Sequence, residues 1–243
     1  VPEPVVRAIT RRVTDTAASL NRYPDRDFTN LRTALASYLG HELTEDNLWA
    51  ANGSNEILQQ ILQAFGGPER SVLSFVPTYS MYPLLALGTG TRFIAGERAA
   101  DFSLSAELAA RQVGEHAPNI VFLCSPNNPT GTALGLDVVE AVYEAGEDRN
   151  TIVVVDEAYA EFARFGTPSA LTLLPGRPRL IVTRTMSKAF ALAGARLGYF
   201  AADRSVADAI RLVRLPYHLS SVTQATALAA LEHHETLLGT VED

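Results

Sequence analysis

The sequence predicts an α/β fold in which a mostly parallel sheet is sandwiched by helices. Short apolar runs alternate along the chain with longer amphipathic segments, turn-forming residues bound these runs, and polar residues follow several of them directly. Near-continuous apolar runs are typical of strands that are covered on both faces. Alternation of such strands with helices indicates that successive strands lie side by side in one parallel sheet.

Five segments have the length and composition of buried strands. They are SVLSFV (71–76), TRFIA (91–95), NIVFLC (119–124), TIVVVD (151–156) and RLIVTR (179–184). Amphipathic helices are predicted from Asn55 to Phe65, where two glycines stop the helix, and from Leu136 to Gly146. The last segment (221–243) also has a helical pattern.

Composition and charge limit the class of protein. A chain of 243 residues, 47% of them hydrophobic, can bury the core of one large domain. The net charge of −7, with no block of basic residues, argues against nucleic acid or an anionic membrane as partner and favours small molecules. Cys124 is the only cysteine and lies in an apolar run, so a buried thiol is expected. No signal-peptide pattern or long apolar run occurs, and a cytoplasmic location is expected.

Lys188, in the stretch TMSKAFALAGAR (185–196), is the only lysine, whereas every other basic side chain of the Lys/Arg type is arginine. On a solvated surface the two residue types serve equally well, so one lysine could be accidental. An arginine guanidinium stays protonated, however, whereas a lysine amine can lose its proton and form a Schiff base. Lys188 is therefore the first candidate for covalent chemistry.

Polar segments follow three of the predicted strands: CSPNNPTG, DEAYAEF and TRTMSKAF. Doubly wound sheets bind ligands beyond the carboxyl ends of their strands, so these segments are expected to converge on one crevice. SPNNPTG (125–131) taken alone would be a plain turn. Asp156 follows an apolar strand and needs a partner, either an arginine in a structural ion pair or the protonated ring nitrogen of a bound cofactor. Tyr159 could turn its hydroxyl into the same cavity.

The neighbours of Lys188 suit a phosphate group. Thr185 and Ser187 carry hydroxyls, Arg196 carries a guanidinium, and small residues precede it. A lysine for an aldehyde, an acid for a ring nitrogen and a polar nest for a phosphate match the three functional parts of pyridoxal phosphate.

Several motifs resemble those of a known family. SPNNPTG, DEAYAEF and TRTMSKAFALAGARLGYF are similar to the signatures of the fold-type-I pyridoxal-phosphate-dependent aminotransferases. NRYPD (21–25), NGSNE (52–56), VPTYSMY (76–82) and LPYHLS (215–220) match in the same order, so the resemblance covers about residues 21–220. Within the family the motifs are most similar to those of the histidinol-phosphate aminotransferases.

The resemblance implies four catalytic residues. Lys188 would bind the cofactor aldehyde covalently and, once freed, move a proton at the substrate. Asp156 would keep the pyridine nitrogen protonated, so that the ring remains an electron sink. Asn128 and Tyr159 would hydrogen-bond the phenolic oxygen, and Tyr79 would stack on the ring.

The resemblance also implies a phosphate site and a partner. The cofactor phosphate would be held at the start of the helix that follows NGSNE and by the residues around the lysine, namely Ser54, Asn55, Thr185, Ser187 and Arg196. Tyr23 would reach the phosphate from the neighbouring subunit, which makes the active enzyme a homodimer. No metal site is expected.

The implied domain organisation extends beyond this chain. Residues 1–243 would form the cofactor-binding large domain, with 1–40 as an N-terminal arm and helix at the domain and dimer boundary. A C-terminal small domain, with the arginine that binds the substrate carboxylate, would follow Asp243. An N-terminal segment with an Asn-Glu-Asn-Pro signature would precede Val1.

The implied reaction is transamination of L-histidinol phosphate with 2-oxoglutarate, giving imidazole-acetol phosphate and L-glutamate, in histidine biosynthesis. Three alternatives remain open: an aromatic-amino-acid aminotransferase, a threonine-phosphate decarboxylase and a non-catalytic cofactor-binding regulatory module. The intact set of site residues weighs against the last, because a pure sensor need not preserve proton-transfer geometry.

The resemblance assigns no role to Trp49 or His218, but the sequence suggests a place for each. Trp49 is expected to pack beside a strand, and His218, inside LPYHLS, is the candidate among the histidines for lining the pocket. The adjacent histidines of LEHHE (231–235) point in different directions on a helix, so a solvated face is expected there rather than a metal site.

Overall fold

The computed structural model describes residues 1–241. Within them, seven strands form one sheet: β1 Leu48–Ala51, β2 Ser71–Val76, β3 Arg92–Glu97, β4 Ile120–Cys124, β5 Ile152–Asp156, β6 Leu180–Thr185 and β7 Gly198–Ala202. The order across the sheet is β1-β7-β6-β5-β4-β2-β3. Among these strands the two pairings of β7 are antiparallel and the other four pairings are parallel, so the predicted α/β fold with a mostly parallel sheet is confirmed.

The α-helices of residues 1–241 are α1 Glu3–Ala17, α2 Thr29–Leu39, α3 Ser54–Phe65, α4 Met81–Gly88, α5 Ala106–His116, α6 Leu136–Ala145, α7 Arg204–Val213, α8 Ser221–Glu232 and α9 His234–Leu238. Among them, α3 to α6 connect successive strands, whereas α1 and α2 precede β1 and α7 to α9 follow β7. Helices α3 and α6 agree with the predicted amphipathic segments within a residue. No helix between residues 1 and 241 combines the length and apolar character needed to cross a membrane.

The core follows from the composition of the strands. Every residue of β4 and β6 is buried, and β5 is buried from Val153 onward, because helices cover both faces of the sheet. Helix α3 buries Ile57, Leu58, Ile61 and Leu62 on one face. Burial of each such side chain contributes about 1.5–3 kcal/mol. Cys124 at the end of β4 is buried as expected.

One predicted strand differs in its burial. The segment 91–95 was expected to be a buried strand, but β3 begins at Arg92, lies at the edge of the sheet and is mostly exposed or half-buried. An edge strand has a neighbour on one side only, so its side chains keep more contact with water.

Two strands were not predicted. Trp49, expected beside a strand, lies within β1, and its ring is fully buried. Strand β7 pairs antiparallel with both β6 and β1. Both strands are short, and alanine and glycine offset the strand preference of their aromatic residues, so the local sequence does not decide between a strand and another conformation. Pairing with distant partners decides their conformation.

The N-terminal region 1–40 comprises α1 and α2. Both helices pack against α8 near the end of the chain, and α2 also contacts β1. The assignment of residues 1–40 to a domain and dimer boundary remains a prediction.

Candidate active site

The three polar segments meet at one edge of the sheet, as predicted. Strands β4, β5 and β6 are parallel neighbours, and their registers pair Cys124 with Asp156 and Asp156 with Thr183. The chain that leaves each strand therefore starts from the same edge. This adjacency is the structural basis of the site.

Asp156 is buried at the end of β5, with 3% of its surface exposed. The Tyr82 hydroxyl donates to Oδ2 at 2.8 Å, the Thr183 hydroxyl donates to Oδ1 at 3.1 Å, and the Ala158 backbone also donates to the carboxylate. Burial raises the pKa of Asp156, while the hydrogen bonds from Tyr82 and Thr183 oppose the rise.

A structural ion pair with arginine was one interpretation of Asp156. Within residues 1–241, no lysine or arginine forms a salt bridge with it. A buried carboxylate held only by neutral donors can accept a further, cationic donor. This arrangement suits a positively charged group of a ligand.

The buried arginine of this region pairs instead with the glutamates on either side of Tyr159. Arg184 Nη2 lies 2.7 Å from Glu157 Oε2, and its Nη1 lies 3.2 Å from Glu161 Oε1. Burial alone would lower the pKa of Arg184, but the carboxylates of Glu157 and Glu161 raise it. The sequence motifs did not identify this network, although DEAYAEF places two acids around the tyrosine.

Lys188, Tyr159 and Asn128 lie together beyond the strand ends. The Lys188 amine lies 5.4 Å from the centre of the Tyr159 ring. Asn128 Nδ2 donates to the Tyr159 hydroxyl at 3.4 Å. Tyr159 and Asn128 are half-buried and Lys188 is exposed. Tyr159 follows Asp156 by three residues, whereas Asn128 follows β4 and Lys188 follows β6, so three strand ends supply the four predicted catalytic residues.

Tyr79 links α3 to Tyr82, the tyrosine that contacts Asp156. The Tyr79 hydroxyl donates to Asn55 Oδ1 at 3.2 Å, and the Tyr79 ring meets the Tyr82 ring edge to face at 5.5 Å. The predicted ring-stacking residue therefore lies between a predicted phosphate ligand and the tyrosine that contacts Asp156.

The predicted phosphate ligands lie on two segments that approach closely. A Cβ atom on Gly198 would lie 2.2 Å from the backbone nitrogen of Ser54, so only glycine permits this approach. Helix α3 begins at Ser54 and has no side-chain cap among the described residues. Such a helix start offers N–H groups and a positive dipole end to an anion.

Hydroxyls and a guanidinium complete this region. The Thr185 and Ser187 hydroxyls are 3.0 Å apart, and the Ser187 backbone donates to Thr185 Oγ1 at 3.1 Å. Arg196 adopts a left-handed backbone conformation, with φ of 55°, and its Nη2 donates to the Asn52 carbonyl at 3.4 Å. The guanidinium is thereby held beside the start of α3.

Tyr23 lies on the surface. Its side chain is 80% exposed and stacks on Tyr217, with ring centres 4.5 Å apart. No hydrogen bond joins its hydroxyl to any residue from 1 to 241. Its role toward a neighbouring subunit remains a prediction.

His218 packs against β1. Its ring stacks on Trp49 at 5.7 Å, and Nε2 lies 2.9 Å from the Ala50 carbonyl oxygen. Burial lowers the pKa of His218. The side chain therefore contributes to packing, and its candidacy for the pocket finds no support in these contacts.

A cavity of about 710 Å³ lies near SPNNPTG. Its walls include Ser103, Pro126, Thr130, Phe162 and Thr167, and none of the predicted catalytic or cofactor-binding residues lines it. This cavity is therefore separate from the residue group around Lys188.

Comparison with known proteins identifies the family of this chain. The family model of aminotransferase class I and II matches residues 1–242. A histidinol-phosphate aminotransferase of Paenarthrobacter aurescens is 72% identical over 243 residues, which are 100% of this chain and 65% of that protein. A histidinol-phosphate aminotransferase of Thermobifida fusca is 60% identical over 241 residues, 99% of this chain and 65% of that protein.

A solved structure shows the same fold. The histidinol-phosphate aminotransferase from Sinorhizobium meliloti, crystallised in complex with pyridoxal-5'-phosphate, superposes with a TM-score of 0.87 at 28% identity. The superposition covers 97% of this chain and 63% of that one. This chain thus spans less than two thirds of the length of these relatives. By the family match over residues 1–242, the chain belongs to the class I and II aminotransferase family.

Proposed function

We propose that this chain is the cofactor-binding part of an aminotransferase that uses pyridoxal phosphate to transaminate L-histidinol phosphate with 2-oxoglutarate. The observation that carries the proposal is Asp156, a buried carboxylate without a cationic partner among the described residues, at the strand edge from which the segment bearing the sole lysine departs. The two relatives above that share 72% and 60% identity with the chain support the choice of substrate.

The donor set fits this cofactor. Lys188 is the amine for the aldehyde, and Asp156 is a buried acceptor for a protonated ring nitrogen. Tyr159 and Asn128, hydrogen-bonded to each other, offer a hydroxyl and an amide to the phenolic oxygen. Tyr79 offers an aromatic face.

The residues around the start of α3 suit the phosphate group of the cofactor. A dianion would meet the start of α3 at Ser54 and Asn55, the hydroxyls of Thr185 and Ser187, and the guanidinium of Arg196. Charge-assisted hydrogen bonds and the helix dipole both favour an anion there. Tyr23 of a neighbouring subunit would add a phenol, which implies a homodimer.

Pyridoxal phosphate, when bound, supplies an aldehyde that condenses with amines and a ring that accepts electron density from the substrate Cα. The chain's residues have separate tasks around it. Lys188 would move the proton from the substrate Cα to the cofactor side, which requires an unprotonated amine within reach. Asp156 would hold a proton on the ring nitrogen, and Tyr159 and Asn128 would orient the ring.

The proposal is tested with the full-length enzyme of which this chain is the cofactor-binding part, purified and loaded with pyridoxal phosphate. L-histidinol phosphate, L-phenylalanine and L-threonine phosphate are added separately without a keto acid, while cofactor absorbance and products are followed. Fastest conversion of the cofactor to its amine form with histidinol phosphate is expected. Preference for phenylalanine would indicate an aromatic aminotransferase, release of carbon dioxide from threonine phosphate a decarboxylase, and no response a binding module.

Lys188→Ala provides the matched control. We expect it to abolish turnover and to leave non-covalent cofactor binding measurable, because the other binding residues remain. Retained turnover in this variant would contradict the assignment of Lys188.

A further inference from the structure

Tyr82 was not assigned a role by its motif, yet it is the side chain with the shortest hydrogen bond to Asp156. It lies in the first turn of α4 and is fully buried. Its hydroxyl donates to Asp156 Oδ2 at 2.8 Å. The ring is packed against Phe122 at 5.0 Å and against Tyr79 at 5.5 Å, so packing on two sides limits its movement.

The other groups around Asp156 explain why this contact matters. Thr183 donates to the second carboxylate oxygen, and the Ala158 backbone also donates. Glu157, the next residue, acts against a negative charge on Asp156, and the Cys124 thiol adjoins the Tyr82 hydroxyl. Within residues 1–241, the charged form of Asp156 is therefore stabilised by hydrogen bonds from neutral donors.

We propose that Tyr82 is a positioning residue that holds Asp156 as a carboxylate anion, oriented to keep the ring nitrogen of the cofactor protonated. This inference rests on the proposed function. A phenol that donates to one oxygen orients the carboxylate plane and leaves lone pairs free for a further donor. Loss of the phenol hydroxyl would shift the shared proton from the ring nitrogen toward the carboxylate.

The test compares two ligands that differ at one atom: pyridoxal phosphate and its 1-deaza analogue, in which C–H replaces the ring nitrogen. Dissociation constants for both are measured by absorbance titration of the purified wild type and of Tyr82→Phe, which keeps the buried ring. Both ligands would bind covalently to Lys188 in the same way, so this contribution cancels in the ratio of their two dissociation constants. We expect the preference for pyridoxal phosphate over the analogue to fall roughly tenfold in Tyr82→Phe.

Two further variants separate a local effect from general loosening. Tyr199→Phe makes the same change at another fully buried tyrosine, whose hydroxyl has no hydrogen-bond partner among the described residues, and should leave the preference unchanged. In Asp156→Asn the preference should be lost, and adding Tyr82→Phe should then have no further effect, because both residues act on one interaction.

Each outcome bears on one proposal. A wild type that binds neither ligand, or binds both equally, contradicts the proposed function. A wild type that prefers pyridoxal phosphate, with an unchanged preference in Tyr82→Phe, overturns the role of Tyr82. Equal weakening of both ligands in Tyr82→Phe also overturns it, because that result reports packing alone.

Discussion

Gly53 lies directly against Arg196: a Cβ atom at residue 53 would be 2.4 Å from Nη2 of the guanidinium. Gly53 also has φ of 91°, a backbone conformation that residues other than glycine rarely adopt. The glycine therefore permits both the turn that starts α3 and the position of the predicted phosphate-binding arginine.

Gly53→Ala should consequently weaken phosphate binding. We expect loss of about 1.5–3 kcal/mol in the binding of pyridoxal phosphate, the contribution of a hydrogen bond to a charged group, because the guanidinium must move. Pyridoxal, which lacks the phosphate, should lose much less. Titration with both compounds measures the difference.

The control is Gly114→Ala in α5, where a Cβ atom meets nothing within 4 Å. That change should leave both affinities unaltered and stabilise the helix by up to about 1 kcal/mol. Equal losses for pyridoxal and its phosphate in Gly53→Ala would argue against a phosphate role for Arg196.

In the ligand-free protein, Asp156 should lower the free energy of unfolding by an amount that depends on pH. Burial raises the pKa of this carboxyl above its ordinary value of 3.8. Between the unfolded and folded pKa values the folded state retains a proton that the unfolded state has released, so the free energy of unfolding falls as pH rises through this interval. Below the interval no such loss exists, and above it the loss is complete.

The difference between wild type and Asp156→Asn isolates this effect. Urea unfolding of both ligand-free proteins from about pH 4 to about pH 8 should show the wild type losing stability relative to the variant. Parallel curves would show that the carboxyl titrates alike in the folded and unfolded states.

Arg184 should be essential for stability. Arg184→Met leaves Glu157 and Glu161 as buried acids without their arginine, and removal of one partner from a buried ion pair costs about 3–5 kcal/mol. Urea unfolding measures the change. Because the two acids flank Tyr159, activity should fall as well.

Arg204→Met is the matched surface change. Arg204 pairs with Asp46, but its side chain is 66% exposed, so the expected loss is below about 1 kcal/mol. Comparable losses in the two variants would show that the Arg184 network contributes little beyond a surface pair.

Tyr23 offers a test of the homodimer. If it serves the neighbouring subunit, a heterodimer of Lys188→Ala and Tyr23→Ala subunits has one site with both native residues. Mixing the inactive Lys188→Ala variant with the Tyr23→Ala variant under exchange conditions should then restore activity toward about a quarter of the wild-type level, since random mixing of a symmetric dimer gives that share of native sites. No recovery, with subunit exchange verified by mass, would place Tyr23 outside the partner's site.

The central part of the fold could be predicted because its information is local. Apolar runs such as 119–124 and 151–156 agree with β4 and β5 within a residue, since strands buried on both faces must be apolar throughout. The same regularity predicted that Asp156 and the segment bearing Lys188 leave the sheet at one edge. Strands β1 and β7 are also apolar, but each is short and half or more of its residues are alanine or glycine, so the sequence did not distinguish them as strands.

The sequence by itself determined the parallel sheet, the candidate chemistry of Lys188 and the buried position of Asp156, because apolar periodicity and residue chemistry are properties of short segments. Only the tertiary structure decided which groups meet. Tyr82 contacts Asp156 across 74 residues of chain, and Arg184 pairs with Glu157 and Glu161 rather than with Asp156. Adjacent residues of a strand point to opposite faces, so neighbouring acids take different partners, and sheet order selects which partner each one finds.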